Sequence, residues 1–593
     1  MIYKKLSLLI LFFATGLLTA SAQKSPQDMD RFIDALMKKM TTEEMTDITL
    51  LSETSPAWQA LSEGDRKALQ HLVQAAKILN NVCLQQDNPH NISLKQALEQ
   101  AAKNDEQAAL TLKMFNSLNG VSGLNGIDPA PICLFKGLTT SAGKNFYPQD
   151  LTVDEFHQIL LNMFAGGESE EIARILSART MVVRNGSKLK AVDYTEYFKK
   201  EFSAMANELE VAAHYCSDDL FREFLSWQAQ ALLQNNEDMD MLADKHWAVL
   251  QETPLEFTLS RENYEDEMTP TVFDNPVLAK LLEQHQIEAT SKDMLGIRAG
   301  IVNKAGTELI LKFKEHMSEL AERMPYKEKY HQNIGAGTEL KQTMVDVDLA
   351  ALSGDYAAVR GGITTAQNLP NNDKLSVKAG GGRRNVYHRQ GRQSVDREKM
   401  RKIMDKLVSP DLHKLYNPEA DHIFVIGHEN GHSLGPDSSY QDALGLYKHI
   451  IEEHKADVIS IAFMPEYVKN GTISADTLKE IYASWVIGRL FLTAQPQYAQ
   501  AHRMADLIQF NYLLNNHVIS FDNNHKLHIN FDDFASVMNR LLEETIAVQL
   551  SKSPAAAKEF IDRYTVWSET SAYIASEIQK LGVKPYKEIR MYF

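Results

Sequence analysis

One segment, Phe424-Val425-Ile426-Gly427-His428-Glu429-Asn430-Gly431-His432, constrains this chain more than any other. On a helix, residues four apart lie one above the other, so His428 and His432 can reach a common point on one face. Glu429 stands beside the first of them, where it can take a proton from a water held there. Two imidazoles and a carboxylate suit zinc, with a fourth position left for water or substrate. Asn430 and Gly431 are poor helix formers and weaken the motif. The competing reading is a helix end whose polar residues only face solvent.

The downstream stretch Leu446 to Ile459 decides between the two, because it carries Glu452, Glu453, His454, Lys455 and Asp457. Twenty residues lie between His432 and Glu453, enough to end one helix, turn through Gly435 to Ser439 and return along a second. At about 100° per residue, Ile450, Glu453, Asp457 and Ile461 fall within about 80° of one another. Glu452 then points the opposite way, which leaves Glu453 as the inward carboxylate. Asp457, one turn on, can accept the other ring N–H of a ligand histidine. Charged groups on an apolar helix face need a partner, and a metal supplies one.

At 593 residues, the chain has room for two to four folding units of roughly 100–200 residues. Apolar residues make up 44% and charged residues 24%, which excludes a wholly disordered, collagen-like or polytopic membrane chain. The net charge of −16 argues against nucleic-acid binding and against docking on anionic lipid, since both depend on Lys and Arg. Cys83, Cys133 and Cys216 are too few and too scattered for a disulfide framework or a cysteine zinc site. Lys4 and Lys5 precede an apolar run from Leu6 to Leu18, with Ala20-Ser21-Ala22 behind it. Residues 1–22 therefore read as a cleavable signal peptide, with export to the periplasm or beyond the cell and no stable membrane association.

Most of the remaining pattern is helical. Leu69, Leu72, Val73, Ala76 and Leu79 recur at helical spacing, and similar stretches run over 197–232, 303–323 and 444–467. The last third, from about Met400, continues this way. Residues 345–387 are the expected sheet-bearing region. Two segments read as irregular: 117–148, rich in Gly, Pro and Asn, and 379–392, a loop in which Gly380-Gly381-Gly382-Arg383-Arg384 makes a turn.

The two metal-binding segments together resemble the zinc exopeptidases of the dipeptidyl peptidase III family. The likeness rests on His428-Glu429-x-x-His432 with Leu434-Gly435-Pro436, and on Glu452-Glu453-His454-Lys455-Ala456-Asp457, which matches a Glu-Glu-x-Arg/Lys-Ala-Asp/Glu signature. Weaker matches extend it over most of the chain. Gln500-Ala501-His502 resembles a segment whose histidine stabilises the transition state. Glu262-Asn263-Tyr264-Glu265-Asp266 resembles one whose tyrosine meets the scissile carbonyl and whose glutamate meets the substrate's ammonium group. Asn368-Leu369-Pro370-Asn371 resembles one that grips the first peptide units, although asparagines beside a proline also make turns. Ile301 to Ala305 and Asn145 to Pro148 match family segments concerned with packing.

The resemblance implies a predominantly α-helical α+β fold of two lobes separated by a wide cleft. One lobe is expected from residues 23–295 and about 345–396, and a helical zinc-binding lobe from about 296–344 and 397–593. It implies release of N-terminal dipeptides from oligopeptides, with one Zn2+ per chain held by His428, His432 and Glu453. Glu429 is the expected base, His502 and Tyr264 the oxyanion donors, and Glu262, Asn368 and Asn371 the substrate-binding residues. Three departures stand out: the zinc motif has five residues where the family's usually has six, and Glu265 and Asp506 stand where arginines are frequent. The missing arginines bear on recognition of an acidic or C-terminal group and leave the zinc chemistry intact. A zinc aminopeptidase or endopeptidase of different cleavage register, and a non-catalytic zinc-containing peptide-binding protein, are the other readings.

Overall fold

A computed structural model describes residues 45–125, 128–133, 141–262, 266–331, 342–355, 366–369, 383–388, 390, 397–488, 496, 500–581, 586–590 and 592. The expected signal segment 1–22 lies outside them. The chain divides into two compact units: Met1–Val302 with Val347–Thr364 and Lys584–Phe593, and Asn303–Asp346 with Thr365–Val583.

In the first unit, helix α1 (Glu63–Asp87) buries Leu69, Leu72, Val73, Ala76 and Leu79, the stripe that the spacing predicts. The helical stretch expected over 197–232 is two helices, α2 (Lys199–Tyr215) and α3 (Asp219–Gln234). They break where the Asp218 side chain accepts from the Phe221 N–H at 2.8 Å and so caps α3. Buried Asp65, in the first turn of α1, accepts from Ser217 N and Ser217 Oγ, both at 2.9 Å, and ties the start of α1 to that break.

Strand β1 (Leu255–Glu262) runs antiparallel to β2 (Met294–Val302), Leu255 opposite Ile301 and Glu262 opposite Met294. In turn β2 is antiparallel to β3 (Gln342–Gly354), with a register shift between Ala299 and Gly300. Helix α1 packs on β2 and α2 on α1. The sequence reading placed the sheet over 345–387 and missed β1 and β2. All nine residues of β2 are buried, so the two-residue alternation that reveals a half-exposed strand is missing. The segment expected to be irregular over 117–148 also contains a short hairpin, Ser122–Asn125 against Asp128–Cys133.

The second unit is mainly helical around one apolar cluster. Its elements are α4 (Lys304–Glu315), the antiparallel pair β4 (Ala366–Leu369) and β5 (Arg383–His388), then α5 (Ala420–His432), α6 (Lys448–Lys469), α7 (Ala475–Gly488), α8 (Ala501–Asn515) and α9 (Phe531–Leu550). Strand β5 corrects the loop expected over 379–392: Arg384, Val386 and Tyr387 are buried there, and paired backbone replaces a solvated turn. Helix α6 is the hub, with α5, α8 and α9 packed around it. Among the described residues no helix is long and apolar enough to cross a membrane.

Candidate metal centre

The site is built where α5 meets α6. Gly427 and Gly431, four residues apart on α5, both face α6, opposite Ser460 and Ala456. A Cβ at Gly431 would sit 2.8 Å from the Ala456 carbonyl oxygen and 3.0 Å from its Cα, and one at Gly427 would run into Ser460 Oγ. The Ser460 hydroxyl donates to the Phe424 carbonyl at 2.8 Å across the gap. Gly431, a poor helix former by intrinsic propensity, is thus the residue that lets the two backbones close. Gly431→Ala is expected to cost about 1–3 kcal/mol through overpacking, read as a lower urea midpoint of the metal-free protein.

This close approach brings His428, His432 and Glu453 together, one ligand atom from each lying within 4.8 Å of the others. The two Nε2 atoms are 3.1 Å apart, and Glu453 Oε2 lies 3.5 Å from His428 Nε2 and 3.6 Å from His432 Nε2. His428 Nδ1 donates to Asp457 Oδ1 at 2.7 Å, and His432 Nδ1 to Glu452 Oε1 at 3.0 Å. With both Nδ1 protons so committed, each neutral ring presents a bare lone pair at Nε2. His502, at the start of α8, holds Nδ1 3.5 Å from Glu453 Oε2 and its ring 6.3 Å from that of His428.

In that neutral form the two facing lone pairs and the carboxylate repel one another unless a proton or a metal cation stands among them. Glu453 Oε2 is buried and has no hydrogen-bond partner, an arrangement that costs free energy without a counter-charge. A tetrahedral ion with bonds of ~2.0–2.1 Å sets its ligand atoms about 3.3 Å apart, close to the separations found. Two imidazoles and one carboxylate fit such a cation, whereas calcium or magnesium prefers oxygen ligands.

Charge around the triad is graded. Burial alone would push His432 down, but the hydrogen bond to Glu452 and the charges of Glu453, Glu452 and Glu429 outweigh it and raise its pKa to about 9. Burial alone would push Glu452 up, but the Lys455 ammonium and the His432 hydrogen bond hold it at about 2. Metal binding must then displace the His432 proton at neutral pH. Affinity is expected to rise by roughly tenfold per pH unit up to about pH 9 and then level off. Chelator competition across that range measures it.

No family model matches the chain. A solved structure of DPP III from Caldithrix abyssi resembles it with a TM-score of 0.75 at 22% identity, over 94% of this chain and 98% of that one. The dipeptidyl-peptidase III of Corallococcus sp. strain EGB gives a TM-score of 0.68 at 20% identity, over 94% and 96%. The fold is that of dipeptidyl peptidase III. It is the predominantly helical α+β class expected from the sequence. Nudix hydrolase 3 of Arabidopsis thaliana is 24% identical over 548 residues, 85% of this chain and 68% of that protein.

Within this dipeptidyl peptidase III fold, the structure gathers His428, His432, Glu453, Asp457 and His502 in one place. Glu429 follows His428 on α5, and its charge is felt by His432 and by buried Tyr387. Glu262 ends β1 and Asn368 lies in β4. Tyr264 and Asn371 lie outside the described residues.

One expectation is corrected. Glu452 does not point away from the site but binds His432, and Lys455 Nζ (itself fully buried) lies 2.9 Å from the same Glu452 oxygen. The other Glu452 oxygen accepts from Gln441 and, at 3.4 Å, from Gln549 on α9. Helical periodicity identifies one inward face, but α6 is buried on every side from His454 to Met464, so its second face also meets neighbouring helices. The traces in the sequence are the Glu452/Lys455 pair at i, i+3 spacing and the places both hold in the Glu-Glu-x-Arg/Lys-Ala-Asp/Glu signature.

Proposed function

We propose that the chain is a zinc metallopeptidase that removes dipeptides from the free N-termini of oligopeptides. The observation that carries this reading is the His428–His432–Glu453 triad, with Glu429 beside it, on a dipeptidyl peptidase III fold. Zinc at the triad would supply a Lewis acid for the scissile carbonyl and would acidify a water. Glu429 takes the proton of the attacking water and hands it to the departing amine. His502 donates a hydrogen bond to the oxyanion as it forms; losing one such donor costs ~10²–10³ in rate. Its exposed ring, 68% accessible, leaves it open to substrate. Asp457 and Glu452 keep both ligand rings in the tautomer that offers Nε2.

By the family resemblance, Tyr264 is the second oxyanion donor, and Glu262, Asn368 and Asn371 receive the ammonium group and first peptide units, counting off two residues. About a third of the Arabidopsis protein lies outside the match.

The deciding experiment is mass spectrometry of peptides with free and acetylated N-termini after incubation with zinc-loaded protein. Stepwise loss of dipeptides from the free peptides alone is expected. Loss of single residues, or cleavage of acetylated peptides, indicates a different register. Intact peptides with zinc still bound would leave a peptide-binding protein.

A further inference from the structure

We propose that Gln509 is a positioning residue of the metal centre: it holds Asp457, and through it His428, while fixing the helix that carries His502. The second half of this rests on the peptidase reading above; the first does not.

Gln509 is fully buried on α8. Its Nε2 donates to Asp457 Oδ2 at 3.1 Å and lies 3.4 Å from His454 Nδ1. The other Asp457 oxygen receives His428 Nδ1–H. An amide on one oxygen and an imidazole on the other fix the plane of the carboxylate, and so the direction in which it meets the ring. Hydrogen bonds to a charged acceptor are roughly twice as strong as neutral ones, and leaving such an oxygen buried without its donor is costly. Asp457 is 1% exposed, so water cannot replace the amide.

Gln509 also stands seven residues after His502. Two helical turns leave them within about 20° of one face, the face turned to α6. His502 is exposed, so little packing of its own side chain holds it, and its place over Glu453 depends on where α8 sits. The Gln509–Asp457 bond links α8 directly to the residue that orients His428. A shift of α8 along α6 would therefore disturb His502 and the metal ligand together.

Asn511, two residues on, gives a control on the same helix. Its Nδ2 donates to the carbonyls of Tyr564 and Val566 at 2.7 and 3.0 Å and has no part in the metal centre.

The test compares Gln509→Met, Gln509→Glu and Asn511→Ala for zinc affinity by chelator competition, then for kcat and KM on an unblocked peptide. Methionine keeps the length without the donor; glutamate keeps the volume and replaces donor by acceptor, which covers failure of the thioether to pack. Both Gln509 variants are expected to bind zinc ~10–100-fold more weakly and to lower kcat with little change in KM, while Asn511→Ala keeps zinc affinity. In an Asp457→Asn background, Gln509→Met is expected to change zinc affinity by less than about twofold, because its route is already cut. Unchanged zinc affinity in the Gln509 variants, an equal loss in Asn511→Ala, or full additivity with Asp457→Asn each overturns the proposal. A wild-type protein that binds zinc but cleaves nothing sinks the peptidase reading instead and leaves the zinc comparison standing.

Discussion

Glu429→Gln is expected to lower peptide hydrolysis by ~10²–10⁴-fold, the range for loss of a positioned general base, with zinc content unchanged. Glu429 lies outside the triad that brings its ligand atoms within 4.8 Å, so its loss removes no ligand. Glutamine matches its size but can neither accept the water's proton nor return it. The measurement pairs initial rates on an unblocked peptide with metal analysis of the same sample. A full rate in the variant would exclude Glu429 as the base. Loss of metal together with rate would make it a structural residue of α5.

Lys455→Met is expected to cost about 3–5 kcal/mol of stability in the metal-free protein, the usual penalty for leaving a buried charge without its partner. Lys455 is fully buried, its ammonium 2.9 Å from the Glu452 oxygen that also receives His432. The carboxyl of Glu452 is held at about 2 in the folded protein against an ordinary 4.5. A depressed carboxylate stabilises the fold fully above its unfolded value, and that contribution is lost as pH falls through the folded one. Acid unfolding of Lys455→Met is therefore expected to begin at higher pH than in the wild type. Urea unfolding followed by tryptophan fluorescence reads the stability, and the double variant with Glu452→Gln is expected to recover most of the loss. If the single variant is as stable as the wild type, Glu452 is satisfied by Gln441, Gln549 and His432 without the cation.

These two side chains differ in how far the sequence announces them. Glu429 sits inside a spaced motif, where one helix determines which groups share a face. The inward placement of Glu453 and Asp457 follows equally from the 100° rotation per residue, and the structure brings both to His428. Glu452 and Lys455 stand in the family signature but their contacts are not legible from it, and Gln509 has no signal at all, because their roles depend on what packs against the other faces of α6. The middle of α6, His454 to Met464, has no solvated side, and periodicity from one helix cannot say which neighbour supplies each partner.

The same limit governs the backbone. The stripe of α1 is legible because one face is apolar and the other wet. Strand β2 is hidden because every residue in it is buried, and β5 because arginines and an adjoining glycine run outweigh Val386 and Tyr387 in a local reading. The sequence alone identified the helical character of the chain and the three residues of the candidate metal triad, which rest on interactions within a few turns of one or two helices. Tertiary structure decided how closely α5 and α6 approach, which carboxylate orients which ring, and how α8 is tied to the centre. Those depend on groups brought together from distant segments, such as Gly431 on Ala456 and Gln509 on Asp457, and no local rule specifies them.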